Sequence, residues 1–377
     1  MAESYLTQVT PNDIEPIAIG AGILGTGGGG DPYLESIHLR REIAQIGPQR
    51  VLDPRALADD ALVAVTGYIG APTVSVEKLP QGNELLRSIR LLEEHLRRPL
   101  DAIGIAEIGG GNSLGPLIAG LQAGIPTLDG DGMGRAFPEV QMASFLFHGD
   151  VQVAPFAMCD AGVNRVIFPN TASDVWSERL ARTLAINMGA TAGLTGFVMS
   201  GKQFREYVVP YSLSLAHQVG QHVLDARKAG EDVPEAVAHI LDGHILFRGK
   251  ISDVNRRTTK GFARGTLTVQ GYGGADQGAA ELFIEFQNEY LIAYINGRVA
   301  ATVPDLICIV TEDEGQPVAT ELLRYGTRVA VLAVPGAAQM KTPRALEVVG
   351  PRAFGYDVDF APLAGGKIGV DLASLRE

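Results

Sequence analysis

Cysteine, tryptophan and basic residues are scarce in this chain of 377 residues. It contains two cysteines, Cys159 and Cys308, one tryptophan, and 31 lysines and arginines against 43 acidic residues, which gives a net charge of −12. Two distant cysteines exclude a disulfide framework and a Cys-x-x-Cys metal site, and each is expected to be a buried thiol. Because an acidic surface does not attract phosphate backbones or anionic lipids, we expect no nucleic-acid partner and no membrane partner.

Long apolar segments and a secretion signal are also missing. No run reaches the roughly 18 apolar residues of a membrane span, and the N-terminus lacks the basic and apolar regions of a signal peptide. We therefore predict a cytoplasmic protein. The chain is longer than most single-core domains, so we predict two domains. They cover residues 1–240 and residues 241–377.

Hydrophobic periodicity predicts an α/β N-terminal domain with a mostly parallel sheet and a β-rich C-terminal domain. In the first domain, short apolar runs that predict strands alternate with amphipathic stretches that predict helices. The predicted strands cover 61–68, 100–106 and 125–128, and the predicted helices cover 33–46, 83–98, 114–123, 180–196 and 212–229. Between residues 244 and 333, β-like runs are separated by turn signals. The Gly- and Pro-rich C-terminal segment is expected to pack at the seam between the domains.

Three glycine-rich segments with acidic residues at their edges are the most informative feature. They cover residues 25–31, 107–112 and 129–135. Because glycine has no Cβ, backbone N–H groups in such segments can approach a ligand closely. The second and third segments follow predicted strands, and ligands bind at the carboxyl ends of strands in open α/β sheets. We therefore predict that the three segments form one pocket for a small molecule, with a tight structural turn as the alternative.

The first segment also matches two nucleotide-binding patterns in part. Gly25-x-Gly27-x-x-Gly30 has the spacing of the dinucleotide fingerprint, which requires a preceding strand and an acidic residue about 20 positions later. Residues 17–24 fit a helix as well as a strand, and no acidic residue ends a strand at the required distance. The lysine and hydroxyl residue of a P-loop are absent, and Asp31 would repel phosphate. No nucleotide cofactor is expected.

Acidic side chains lie at or just after the predicted strand ends. Glu107, Asp129, Asp131 and Glu139 could form an acid/base pair with raised pKa values or bind a hard cation. Alternatively, Asp129 and Asp131 only stabilise turns by accepting hydrogen bonds from nearby backbone. His244, at the predicted domain boundary, is a further acid/base candidate.

The most basic segment is residues 256–261, Arg-Arg-Thr-Thr-Lys-Gly. Its Lys260 could bind a substrate carboxylate through charge-assisted hydrogen bonds. The alternative is a solvated turn between two strands.

Several segments of the chain resemble the S-methyl thiohydantoin desulfurase family, which is found beside hydantoinase/oxoprolinase-type proteins. They are residues 20–33, 107–112, 129–139, 287–289 (Gln-Asn-Glu), 303–306 and 349–357, and together they extend over nearly the whole chain. The resemblance implies an α/β N-terminal domain, a β-rich C-terminal domain and hydrolytic removal of sulfur from a five-membered ring. A ring-opening, hydantoinase-like hydrolase and a non-catalytic ligand-binding partner of a hydantoinase remain alternatives.

Hydrolysis of such a ring requires a base, an acid and donors for the developing negative charge. We assign Asp131 or Glu107 as the base and Asp129 or His244 as the acid. The predicted substrate-binding residues are the backbone of the glycine segments, two side chains that orient the ring, and two flanking charged residues: Gly27, Gly28, Gly29, Gly30, Asp31, Gly110, Gly111, Asn112, Arg135 and Lys260.

The cofactor is unknown at this stage. A divalent metal held by the acidic residues, which would activate the water, is left open. The expected partner is a small heterocyclic substrate, and assembly into a homo-oligomer is left open as well.

Overall fold

Short apolar runs in the first 210 residues build a nine-stranded mixed sheet. The computed structural model describes residues 5–70, 80–259, 261–272 and 280–370. The strands of this sheet are β1 (Gln8–Val9), β2 (Gln49–Leu52), β3 (Leu62–Gly70), β4 (Ala102–Ile105), β5 (Thr127–Asp131), β6 (Phe156–Cys159), β7 (Arg165–Phe168), β8 (Thr191–Ser200) and β9 (Val209–Pro210). Their order is β1-β2-β5-β4-β3-β8-β6-β7, and β9 pairs with β5. The central strands β2, β5, β4 and β3 are parallel, and the outer pairs are antiparallel.

The described residues also form α-helices. They are α1 (Ile14–Leu24), α2 (Tyr33–Ile46), α3 (Glu84–Leu96), α4 (Gly110–Ala123), α5 (Asp174–Asn187), α6 (Gly201–Tyr207), α7 (Ser212–Ala229), α8 (Val233–Ile240) and α9 (Pro343–Val349). Helices α1 and α7 cross at very short distance, because a Cβ at Gly20 would lie 1.8 Å from the Ala216 carbonyl oxygen. This packing fixes the C-terminal end of α1, where the first glycine segment begins. Among the described residues, none of the helices is both long and apolar enough to cross a membrane.

The second sheet has seven strands, all paired antiparallel. They are β10 (His244–Thr259), β11 (Phe262–Gly271), β12 (Glu281–Gln287), β13 (Glu289–Ile295), β14 (Arg298–Thr302), β15 (Leu306–Thr311) and β16 (Arg328–Val334), in the order β14-β13-β12-β11-β10-β16-β15. Its buried side chains form a core of their own, centred on Ile284, Val331 and Tyr290. The predicted fold class, an α/β N-terminal part with a mostly parallel sheet and a β-rich C-terminal part, is confirmed.

Residues 17–24, which fit a helix or a strand by sequence, lie in helix α1, so the strand that the dinucleotide fingerprint requires is missing before Gly25. Two local predictions need correction. The helix predicted over 180–196 ends at Asn187, because Gly189 and Ala190 adopt left-handed φ values of 86° and 67° and start strand β8. The basic residues 256–259 belong to strand β10 and not to a turn.

The two sheets meet at the first glycine segment. The N–H of Tyr290 donates to the Thr26 carbonyl at 2.8 Å, and the N–H of Thr320 donates to the Gly27 carbonyl at 2.9 Å. Strands up to β9 belong to the first sheet and strands from β10 onward to the second. A domain boundary at residues 240 and 241 remains a prediction. The C-terminal segment lies against both parts, because Leu363 donates to Asp305 and the buried Ile368 packs beside Gly134.

Candidate active site

The first two glycine segments pack backbone against backbone. The N–H groups of Gly111 and Asn112, at the start of α4, donate to the carbonyls of Gly30 and Gly29 at 3.1 and 3.3 Å. A Cβ at Gly110, whose φ is 44°, would lie 1.9 Å from the Gly30 carbonyl oxygen. Only glycine fits this approach. The Gly111 N–H, predicted to be a donor for the substrate, is therefore used inside the protein.

The third glycine segment joins them through Asp131. Its Oδ2 accepts hydrogen bonds from the N–H groups of Ile108, Met133 and Gly134 at 3.0, 2.9 and 2.8 Å. The N–H of Gly132 donates to the Ala106 carbonyl at 3.2 Å. All three glycine segments thus adjoin one another, with Asp131 binding two of them together.

A cavity of about 370 Å³ opens beside the glycine segments, between the two sheets. This volume lies within the range typical of small-molecule sites, roughly 300–1,000 Å³. Its wall includes apolar side chains such as Val65, Phe137 and Phe197, together with backbone of the first and second segments at Gly29, Gly30 and Gly111. The acidic residues on the wall are Asp31, Glu35, Glu84, Glu107, Glu139 and Glu289.

Among the acidic residues predicted from the sequence that line this wall, Glu107 has the most strongly raised pKa. It lies between β4 and helix α4, three residues before the helix begins. Its Oε1 accepts from the Asn112 side chain at 2.8 Å and its Oε2 accepts from the Phe137 N–H at 3.3 Å. Burial raises the pKa of Glu107 to about 7, these two hydrogen bonds limit the rise, and the nearby charge of Asp131 adds to it. A carboxyl with this pKa can exchange a proton at neutral pH.

Glu289 faces the same cavity from the second sheet. It is the first residue of β13, follows Asn288 in a left-handed turn (φ 59°), and is only 2% exposed. Its Oε2 has no hydrogen-bond partner among the described residues. Burial raises the pKa of Glu289 well above its usual range, and the charge of Glu107 raises it further. Two carboxyls on one cavity, from two different sheets, therefore influence each other's ionisation.

Gly28 makes room for this carboxyl. A Cβ at position 28 would lie 2.1 Å from Oε1 of Glu289, so any side chain there would displace this carboxyl. The Gly28 N–H donates to the Gly25 carbonyl at 2.9 Å and is not free for a substrate. Gly27 has φ +87° and packs against the Tyr290 ring. The predicted importance of this segment therefore has a different physical basis at these two positions, namely close packing against the second sheet.

Asn112 positions two residues of the cavity wall. Its Oδ1 accepts from the Tyr68 N–H at 2.7 Å, while its Nδ2 donates to the Tyr68 carbonyl at 3.1 Å and to Glu107 at 2.8 Å. The side chain amide is thus occupied by protein partners. Asn112 was predicted to orient the substrate ring directly, but these contacts make it a support for Tyr68 and Glu107 instead.

Three other predicted residues lie away from the cavity wall. Asp129 is buried and accepts from the Ser214 N–H at 3.1 Å and from the Ser214 hydroxyl at 2.5 Å. Asp131 is fully buried beneath the wall, as described above. His244 is exposed and pairs with Ala333 in the second sheet. None of these three is among the residues that line the cavity, so the acid and base roles given to them are not supported by position. Lys260 lies outside the described residues.

Arg135 connects the two sheets and does not face the cavity. Its guanidinium is 1% exposed and donates to the carbonyls of Ala136, Asp305 and Tyr290 and to the Thr26 hydroxyl, at 2.7 to 3.0 Å. The prediction that it orients the ring is therefore corrected to a structural role. The positive charge of Arg135 also counteracts the rise in the pKa of Glu289.

The one arginine that lines the cavity within the described ranges is Arg182. It donates to Glu178 at 2.7 Å and to the carbonyls of Gly70 and Pro138 at 3.1 and 2.8 Å. Its guanidinium also lies 4.6 Å from the centroid of the Phe262 ring. Like Arg135, it lowers the pKa of Glu289.

The sequence left a divalent metal site open, and the described residues contain no clear set of ligands for one. Over residues 5–70, 80–259, 261–272 and 280–370, no group of three or more His, Cys, Asp and Glu side chains is arranged to hold a metal ion. The acidic residues of the cavity are instead dispersed around its wall.

Family models match almost the entire chain. The model described as S-Me-THD-like, N-terminal domain matches residues 12–170, and the model described as S-Me-THD-like, C-terminal domain matches residues 172–363. The chain belongs to the S-Me-THD-like family. The resemblance to the S-methyl thiohydantoin desulfurase family is thereby confirmed. The family models divide the chain near residue 171, so that strand β8 of the first sheet falls in the C-terminal model.

A solved structure shares this fold. The X-ray crystal structure of a protein from Chromobacterium violaceum aligns with a TM-score of 0.78 and 24% sequence identity, over 94% of this chain and 99% of that chain. The likeness concerns the fold alone. A search among curated proteins gives no match.

Glu289 was missed as a site residue by the sequence analysis. The signal was present in Gln287-Asn288-Glu289, three consecutive polar residues between apolar β segments, all of them buried. A buried polar trio at a strand junction indicates a specific task, because burying polar groups without partners is costly. The pairing of β12 with β13 forms this turn, and the Tyr290 N–H, which donates to the Thr26 carbonyl, joins it to the first glycine segment.

Proposed function

We propose that this protein hydrolyses an S-methyl thiohydantoin or a related five-membered cyclic amide. The observation that carries the proposal is the pair of buried carboxyls, Glu107 and Glu289, on one cavity of about 370 Å³. Family membership supports a thiohydantoin-like ligand. Two carboxyls whose environments differ supply the base and the acid that hydrolysis at neutral pH requires.

Glu107 is the proposed base. Its pKa of about 7 leaves a substantial ionised fraction at neutral pH. It also stands just before the N-terminus of α4, where the helix dipole favours a negative charge. The ionised carboxylate takes a proton from water as the water oxygen bonds to the ring carbon that carries sulfur.

Glu289 is the proposed acid. Its pKa lies above that of an ordinary carboxyl because it is buried and close to the charge of Glu107, so it is protonated when Glu107 is ionised. As the carbon–sulfur bond breaks, the Glu289 proton passes to the leaving sulfur. The second proton of the water passes to the ring nitrogen, so the C=N bond becomes C–NH and the ring carbon becomes a carbonyl. One water is consumed and one methanethiol is released. Transfer of a proton from Glu107 back to Glu289, directly or through water, restores the starting state.

The experiment is a thiol-release assay on the purified protein with S-methyl thiohydantoin, with chromatography of the ring product. We expect equal amounts of free thiol and hydantoin. Glu107→Gln and Glu289→Gln should each reduce kcat by about 10²-fold or more, the usual contribution of general acid–base catalysis. Glu321→Gln is the matched control, because burial also raises the pKa of Glu321 to about 7 although it does not line the cavity.

Other outcomes would separate the alternatives. An open-chain product without free thiol would identify a ring-opening hydrolase. Binding of the ring without turnover, unchanged in Glu107→Gln and Glu289→Gln, would identify a non-catalytic ligand-binding protein. Either result would contradict the proposed desulfuration.

A further inference from the structure

Tyr68 and Glu35 stand out on the cavity wall because their polar groups face it without protein partners. Tyr68 lies near the end of β3 and Glu35 in the first turn of α2. In the described part of the chain, the Tyr68 hydroxyl makes no hydrogen bond, and the Glu35 carboxylate has no partner other than its own backbone N–H. Both residues line the cavity and are half-buried. Polar groups in such a position usually form hydrogen bonds with a ligand or with water.

These two groups line the same cavity. Burial raises the pKa of the Tyr68 hydroxyl, and the charges of Glu84 and Glu35 add to the rise. The Glu84 carboxylate is itself occupied by the N–H groups of Gln81 and Gly82, at 2.8 and 2.9 Å. A hydroxyl donor and a carboxylate acceptor with free hydrogen-bonding capacity therefore line one cavity.

The surrounding contacts hold both groups rigidly. The Asn112 side chain forms hydrogen bonds with both the N–H and the carbonyl of Tyr68. The Tyr68 ring packs over Gly115, where a Cβ would lie 3.1 Å from the ring. The Glu35 carboxylate packs against Gly111, whose Cβ would lie 3.0 Å from its Oε2. Because Asn112 also binds Glu107, one side chain fixes Tyr68 relative to the proposed base. Such supported geometry is typical of recognition groups.

We propose that Tyr68 and Glu35 recognise the amide edge of the substrate ring, with the Tyr68 hydroxyl donating to the ring carbonyl and the Glu35 carboxylate accepting from the adjacent ring N–H. An amide in a five-membered ring is cis, so its N–H and C=O point to the same side and match a neighbouring acceptor and donor. This inference rests on the proposed function and adds the ligand class: a cyclic secondary amide with its N–H unsubstituted.

The test uses two readouts, the thiol-release kinetics and calorimetric binding of hydantoin, which carries the same amide edge. Tyr68→Phe and Glu35→Leu should each weaken hydantoin binding and raise KM by roughly tenfold, with kcat changed by less than about threefold, since a lost hydrogen bond to a bound ligand acts on binding. Tyr325→Phe and Glu321→Leu are the matched controls. Tyr325 is 75% exposed, neither residue lines the cavity, and neither control should change binding or KM.

A ligand variant tests the assignment of Glu35. Hydantoin methylated on the amide nitrogen should bind the wild-type protein at least about tenfold more weakly than hydantoin, and this preference should shrink to about twofold in Glu35→Leu. Unchanged hydantoin binding in Tyr68→Phe and Glu35→Leu, or absence of hydantoin binding by the wild-type protein, would overturn the inference. Failure of thiol release alone would overturn the proposed function, while the binding data would still decide the role of the pair.

Discussion

Gly28 and Glu289 come from different sheets and meet so closely that the absence of a side chain at position 28 sets the place of the carboxyl. A Cβ on residue 28 would lie 2.1 Å from Glu289 Oε1 and 2.6 Å from its Cγ. The first glycine segment is therefore required for the geometry of the second sheet's carboxyl. This relationship joins the fold to the proposed chemistry.

Substitution of Gly28 by alanine should displace Glu289 and reduce kcat by about 10²-fold, because an acid moved by an ångström no longer reaches the leaving group. Overpacking should also lower the free energy of unfolding by roughly 1–3 kcal/mol. The measurements are thiol release and urea denaturation. Gly124→Ala is the control, since Gly124 has φ +74° with open space around its Cβ. It should lose roughly 1 kcal/mol of stability while keeping full activity; equal kcat in Gly28→Ala and Gly124→Ala would contradict the role of Gly28.

The pH dependence of kcat/KM should show the ionisation of Glu107. A base must be ionised, so activity is expected to rise as the pH increases through about 7 and to fall again when Glu289 loses its proton at higher pH. The measurement is kcat/KM between pH 5 and 9, corrected for stability. In Glu107→Gln the rise near pH 7 should disappear from the residual activity. A rise centred near pH 4.5, the ordinary range for a glutamate, would exclude Glu107 as the base.

Stability should depend on pH in the opposite sense to that of a protein with surface ion pairs. Burial raises the pKa values of Asp131, Glu107, Glu35 and Glu321 to about 7, so the folded state binds their protons more tightly than the unfolded chain. Their stabilising contribution is fully present below the unfolded pKa near 4 and is lost as the pH rises towards 7. We therefore expect Tm to be higher at pH 5 than at pH 8.

Glu321→Gln isolates one member of this group. Both carboxylate oxygens of Glu321 are buried without a hydrogen-bond partner among the described residues, so an amide should be tolerated. The variant should show a smaller fall in Tm between pH 5 and pH 8 than the wild-type protein, measured by calorimetry. Asp53 and Asp232, whose pKa values are lowered by arginine partners, act only at lower pH and do not disturb this window. An unchanged difference in Tm would argue against a raised pKa for Glu321.

Local patterns predicted most of the fold, because they follow from side-chain periodicity within one element. The helix over 212–229 and the helix over 33–46 have the predicted ends, and the strand at 61–68 is shifted by one or two residues. Strand β8 was missed because residues 180–196 are rich in alanine and leucine, and only the left-handed turn at Gly189 and Ala190 separates helix from strand.

The site was only partly accessible from the sequence, because it depends on contacts between distant segments. The glycine segments and Glu107 could be found, since each carries a local signal at a strand end. Glu289 lies 182 positions from Glu107 and reaches the cavity only through the packing of the two sheets. Whether an aspartate after a strand faces a ligand or supports backbone also depends on tertiary contacts. The bonds from Met133 and Gly134 agree with the turn role offered for Asp131, whereas the bond from Ile108, 23 positions away, could not be predicted from its neighbours in sequence.

Arg135 should contribute more to stability than any surface ion pair of the chain, because its guanidinium is buried at the seam with four hydrogen bonds. In Arg135→Ala the carbonyls of Asp305 and Tyr290 lose their donor and a large cavity remains. We expect a loss of roughly 3–5 kcal/mol in the free energy of unfolding, measured by urea denaturation. Arg90→Ala is the control, because Arg90 is 47% exposed and pairs with Glu93, a contact worth about 0–1 kcal/mol. Similar losses in the two variants would show that the seam does not depend on Arg135.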